Sequence, residues 1–264
     1  MTYFGFLGIF LVIPILLLSG IFILDNKKGK TFPVALSHFN PLKAIALLVI
    51  IALTYTTLWD NYLVATGVWW YDPERVSGLI FGWVPVEEYT FFILQPIMTG
   101  LWIAFLARRL PVSDFRSRPI LKTTILLLTA LIWVIAFLAL AAAYKPATYL
   151  GLELVWALPP ILLQMVFGLE ILFRHWRLVL ATILSVGLYF SLTDTLAITL
   201  GIWTIDPQQS LNIFISNLPI EEAIFFFLTT ILVTFGITLL LAEDSHRLLK
   251  SLRARLPLRT PPVH

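Results

Sequence analysis

The chain has 264 residues, 59% of them hydrophobic and only 12% charged, about half the charged share of an ordinary soluble domain. Its net charge of +3 is spread over short segments between apolar runs, which suits anionic lipid headgroups as partners better than nucleic acid. It contains no cysteine, which excludes disulfides, thiolate catalysis and cysteine-ligated metals.

Apolar runs long enough to cross a hydrocarbon core of ~30 Å recur along the whole sequence. They predict helices over residues 2–24, 42–63, 85–107, 121–143, 149–172, 178–199 and 213–241. The first run lacks a basic leader and a small-residue cleavage site, so it reads as a retained span rather than a signal peptide. If the segment after helix 1 is cytoplasmic, every one of the 18 basic residues except Arg75 and Lys145 falls on that side. The positive-inside rule then puts the N-terminus outside and the C-terminus in the cytoplasm. The expected fold is all-α and integral to the cell membrane, with about seven transmembrane helices.

An internal repeat organises these helices. Asp60, Gly67, Trp69, Asp72, Pro73, Pro85, Glu87, Glu88, Phe91 and Phe92 recur as Asp194, Gly201, Trp203, Asp206, Pro207, Pro219, Glu221, Glu222, Phe225 and Phe226, each displaced by 134 positions. A weaker echo matches Tyr3, Gly5 and Pro14 to Tyr149, Gly151 and Pro160. Such self-similarity marks duplicated structural units. The expected organisation is a three-helix repeat at 1–107, a linker with helix 4 at 108–148, a second three-helix repeat at 149–241 and a basic tail at 242–264. The linker helix restores the direction of travel, so the repeats are parallel, and a site near a two-fold axis between them is expected.

Asp60, Glu87, Glu88, Glu153, Asp194, Glu221 and Glu222 lie in or at the edge of the expected hydrocarbon. An ionised side chain there costs upwards of ~2.5 kcal/mol, so intramembrane acids are functional candidates that face the bundle interior. No Lys, Arg or His is expected beside them, which favours neutral carboxylic acids over bare carboxylates. On helices 3 and 7 each Glu of a pair precedes a Phe by four residues, Phe91 and Phe92 or Phe225 and Phe226, so acid and ring share a face. A buried acid beside an aromatic wall suits carbocation chemistry, because ring faces attract cations by roughly 0.5 to 2 kcal/mol. Blander roles fit the same residues. Glu in a first turn after Pro85 or Pro219 complements the helix dipole, Trp69 and Trp203 suit an outer aromatic belt, and Asp60 and Asp194 could anchor loops. Glu153 has Leu7 as its counterpart, and its role stays open.

The doubled Pro-Val-Glu-Glu and Pro-Ile-Glu-Glu, each followed by paired phenylalanines and preceded by Asp…Gly-x-Trp…Asp-Pro, resemble the flavin-independent lycopene cyclases. The resemblance covers nearly the whole chain and implies the fused form of a family whose halves also occur as separate subunits. It implies an isomerase that takes lycopene or a related carotenoid from the bilayer and closes its linear end groups without net redox change or a cofactor. The catalytic glutamates implied are Glu87, Glu88, Glu221 and Glu222, with Glu87 or Glu221 first in line as proton donor. Asp60 and Asp194 would support them, and Phe91, Phe92, Phe225, Phe226, Trp69 and Trp203 would hold substrate and steady the cation. All four histidines map to the cytoplasmic side, against a His-rich iron site, and no Gly-x-Gly-x-x-Gly flavin fingerprint occurs. No metal site is expected. The alternative is a small transporter with the same three-plus-one-plus-three plan, relaying protons through the paired acids and hinging at Pro14 and Pro160.

Overall fold

A computed structural model describes residues 1–113 and 119–255 of the chain. Seven of its helices are long and apolar enough to span a membrane. They are α1 (Tyr3–Lys27), α2 (Pro41–Ala65), α3 (Val86–Ala107), α4 (Pro119–Ala141), α5 (Thr148–Arg174), α6 (Trp176–Thr199) and α7 (Ile220–Leu241). A further amphipathic helix, α8 (Glu243–Arg255), follows where the sequence reading places only a basic tail. Arg116, Arg118, Arg259 and His264, part of the expected charge asymmetry, lie outside the described residues.

Local chemistry explains the boundaries. Asn40 caps α2 by accepting from the Leu42 and Lys43 amides, and Pro41 occupies the first turn, where a missing N–H costs nothing. Gly67 and Gly201 end α2 and α6 in left-handed conformation, φ +70° and +68°, which turns the chain sharply into short strands. The expected start of the seventh helix at 213 is corrected to Ile220. Residues 211–219 instead form a hairpin of β5 (Phe214–Ile215) and β6 (Leu218–Pro219), because Pro219 biases Leu218 away from helix and turns at Asn212 and Ser216 take positive φ. The first half builds the same hairpin from β2 (Ile80–Phe81) and β3 (Val84–Pro85). Both hairpins present apolar side chains outward, including Phe81, Trp83, Phe214 and Ile215.

Two further strands, β1 (Trp69–Tyr71) and β4 (Trp203–Ile205), pair antiparallel across the halves. Trp70 faces Thr204, its own counterpart 134 positions on, while Trp69 faces Ile205 and Tyr71 faces Trp203. Only a two-fold axis through the Trp70–Thr204 pair gives that register. The flanking bonds obey it: the Asp72 amide donates to Ile202 O at 3.0 Å and the Asp206 amide to Val68 O at 2.9 Å.

Below this clasp α3 and α7 pack on each other at the centre. Helices α1 and α2 flank α3, α5 and α6 flank α7, and α2 crosses to touch α7 as α6 crosses to touch α3. Helix α4 packs against α5 at the periphery, with Ala136 its one buried residue among those described. Pro14 and Pro160 lack the N–H that would satisfy the carbonyls four residues earlier, Phe10 and Trp156. Each freed carbonyl accepts a tyrosine hydroxyl from the other half at 2.8 Å, Tyr189 on Phe10 and Tyr55 on Trp156. In lipid, where apolar contact alone does little to join helices, such interhelical bonds and close packing hold the bundle.

Candidate active site

Four acids converge beneath the β1–β4 clasp. Asp60 comes from the last turns of α2, Asp194 from those of α6, Glu88 from the first turn of α3 and Glu222 from that of α7. They line one cavity of about 40 Å³, room for a few water molecules, and among the described residues no lysine, arginine or histidine lines it with them. Asp60 and Asp194 are fully buried; neither Asp60 oxygen has a hydrogen-bond partner, while the Asp194 carboxyl meets the Glu222 carboxyl and the Trp203 indole. Glu88 and Glu222 are held: Tyr3 Oη donates to Glu88 Oε2 at 2.5 Å and Tyr149 Oη to Glu222 Oε1 at 2.7 Å. A hydroxyl that donates to a carboxylate oxygen favours the charged form of that carboxylate. The tyrosines are themselves fixed at their backbones, where Tyr3 N donates to Arg75 O and Tyr149 N to Gln209 O.

Tyr3 and Tyr149 carry no role in the sequence reading, although the echo between helices 1 and 5 contains both. Tyr71, Phe190 and Thr193, which also line the cavity, were legible only from structure. Burial, with the Asp60 and Glu88 carboxyls adding to it, pushes the Tyr71 hydroxyl well above the usual phenol value and keeps it neutral.

Glu87 and Glu221, the glutamates placed first as proton donors, do not line the cavity. Each turns back on its hairpin segment: Glu87 Oε1 accepts from the Ser77 amide and Glu221 Oε1 from the Leu211 amide, both at 2.6 Å. Their other oxygens are buried without partners. Glu153 is fully buried beside the Tyr149 hydroxyl and also lies outside the cavity lining.

The walls are aromatic. Phe91, Phe92, Phe225, Phe226, Trp69 and Trp203 all face the cavity. Phe226 stacks on Phe190 at 5.6 Å and meets Phe91 edge-on at 6.1 Å, while Phe225 stacks on Trp59 at 5.6 Å. Phe91, Phe92 and Phe225 have their other sides on a groove of about 1100 Å³, which runs between α2 and α5 to His38 and His246 and is lined mainly by apolar side chains. A cation-free cluster of acids enclosed by ring faces can give up a proton, take one back and stabilise positive charge between the two events.

Comparison with known proteins agrees with that chemistry. Residues 1–106 and 146–240 match the lycopene cyclase family. The chain belongs to this family. It is 38% identical over 195 residues to a lycopene beta-cyclase of Halobacterium salinarum, covering 74% of this chain and 81% of that protein. A bifunctional lycopene cyclase/phytoene synthase of Aspergillus oryzae is 33% identical over 196 residues, and one of Blakeslea trispora 34% identical over 198. Those matches span 33% and 32% of the fungal proteins. No solved structure matches the chain. The cyclase family match leaves out residues 107–145, which hold α4, and includes every residue of the four-acid cavity.

Proposed function

We propose that this chain is a lycopene β-cyclase, an intramembrane isomerase that closes the linear end groups of lycopene without oxidation or reduction. The observation that carries this reading is the cavity of four acids walled by aromatic rings and free of cations. The transporter alternative has no comparable support, since the prolines that would hinge it are tied by tyrosines of the opposite half.

The reaction moves one proton in and one out. A carboxylic acid adds its proton to the terminal double bond of the end group, leaving a tertiary cation. The electron pair of the neighbouring chain double bond attacks that cation, forming the ring bond and shifting the charge into the ring. A carboxylate then removes a ring proton, whose bond electrons become the ring double bond. We assign the donor role to Asp60, whose buried carboxyl has no partner and is far less costly neutral than ionised, and to Asp194, whose hydrogen bond with the Glu222 carboxyl needs a proton on one of the two. Glu88 and Glu222, each held by a tyrosine hydroxyl, are the anions that face the cation and accept the proton. The rings of Phe91, Phe92, Phe225, Phe226, Trp69 and Trp203 steady the charge as it moves, and preorganised groups of this kind usually supply the largest catalytic contribution. Glu87 and Glu221 act as positioning residues that hold the hairpins over the acids.

The same reading places the chain in the cell membrane as two parallel three-helix units, 1–107 and 149–241, joined by the linker helix, with the N-terminus outside. Expression in a lycopene-accumulating bacterial host, with pigments separated by chromatography, tests it. Conversion to cyclic carotenoids is expected, and in deuterated water each ring formed carries one deuterium. Unchanged lycopene with the protein present in the membrane would overturn the reading.

A further inference from the structure

The two halves share a two-fold plan, yet its two sides carry different side chains one turn from the cavity aspartates. On the α2/α5 side, Thr56 and Gly236 line the 1100 Å³ groove that meets the cavity at Phe91, Phe92 and Phe225. The displacement of 134 positions carries Thr56 to Phe190 and Gly236 back to Trp102. Phe190, one turn from Asp194, fills the matching place on the α1/α6 side, while Trp102 lies about 21 Å down α3 from Glu88 and is partly exposed. Phe190 is 1% exposed and stacks on Phe226. Trp102 Nε1 donates to Ser185 Oγ at 2.8 Å, tying α3 to α6, whereas the counterpart of Ser185 is Ile51, which faces the groove with no such tie. The equivalence is geometric as well as sequential, because the Tyr55–Trp156 and Tyr189–Phe10 bonds sit at matching places on the two sides.

Resting on the cyclase reading above, we propose that the α2/α5 groove is the single channel through which the polyene reaches the acids, with Thr56 leaving room beside them and Phe190 filling the two-fold counterpart of that place. The groove is apolar, is continuous with the aromatic wall and has the volume a long hydrocarbon tail needs. One end group therefore reacts while the rest of the chain lies in the groove. A long substrate cannot turn within it, so the one-ring product leaves and returns reversed before the second ring forms.

The absence of native cysteine makes a direct test possible. Leu163, 71% exposed, lines the groove, and its counterpart on α1 across the bundle is Leu17, 65% exposed. Leu163→Cys and Leu17→Cys are each purified, modified with a bulky membrane-permeant methanethiosulfonate, checked by mass and assayed in lycopene-loaded liposomes. Modification at 163 is expected to slow cyclisation about tenfold or more, with recovery when reductant removes the label. Modification at 17 leaves the rate unchanged. Equal slowing at both sites, or full labelling at 163 without effect, would overturn the proposal. Unmodified protein that leaves lycopene unchanged would instead remove the cyclase reading itself. The time course supplies a second readout: the one-ring carotenoid is expected to accumulate free in the liposomes before the two-ring product, and its absence at every early time point would count against a single channel.

Discussion

At the scale of single residues, neighbouring glutamates in each Pro-x-Glu-Glu motif do different work. A helix turns about 100° per residue, so Glu88 and Glu222 enter the cavity while Glu87 and Glu221 point back to the hairpins. Glu88→Gln and Glu222→Gln are expected to lower the rate of lycopene loss by about 10² to 10⁴. Glu87→Gln keeps a carbonyl for the Ser77 amide and is expected to stay within about tenfold of the parent, because one hydrogen bond is retained. Pigment chromatography on matched membrane preparations separates the two classes, and equal losses at 87 and 88 would return Glu87 to a chemical role. Tyr3→Phe and Tyr149→Phe remove the donor that holds each cavity glutamate. A fall of about tenfold or more in the same assay, in protein that still folds into the membrane, is the outcome a preorganised anion requires.

At the scale of elements, the hydrophobic runs made all seven spans legible, since bilayer thickness fixes their length and little else competes. The short strands and α8 were not legible. Strands of two or three residues carry no period to read, and β1 and β4 exist only because they meet across the halves. The apolar stretch 213–219 read as helix because hydropathy does not distinguish a helix turn from a hairpin with apolar side chains. Proline contributes a subtler effect. Pro14 and Pro160 free carbonyls that Tyr189 and Tyr55 satisfy, so Tyr55→Phe or Tyr189→Phe is expected to cost about 0.5 to 1.5 kcal/mol, seen as a lower melting midpoint in detergent. The turn between α5 and α6 adds a pH dependence. Burial pushes His175 down to about 4 from 6.5, so below pH 6.5 the unfolded chain binds a proton that the folded turn refuses. Stability is expected to fall as pH drops from 6.5 toward 4, and His175→Gln should flatten that slope in thermal scans.

At the scale of the molecule, the repeat was the most informative signal in the sequence: it placed a site near the two-fold axis between the halves, yet it left open which of the acids meet there. The register of β1 on β4 brings the acids of both halves into one cavity, and that pairing lies in contacts between segments 134 residues apart. The symmetry is also broken where chemistry needs difference: Tyr71 has Ile205 as its counterpart and Thr193 has Trp59. If the two halves held independent sites, Glu88→Gln and Glu222→Gln would each remove part of the activity and the double variant would combine their losses. In a single site one carboxylate serves the same reacting end group as the other, and groups that act as a unit are grossly non-additive. The expected result is that the single variants differ in severity, following the unequal surroundings of the two halves, and that Glu88→Gln with Glu222→Gln is no slower than the worse single variant by more than about tenfold. Single variants that each keep about half of the parent rate, with activity lost only in the double variant, would assign each half its own reaction, and the four acids would then share a cavity without sharing a substrate.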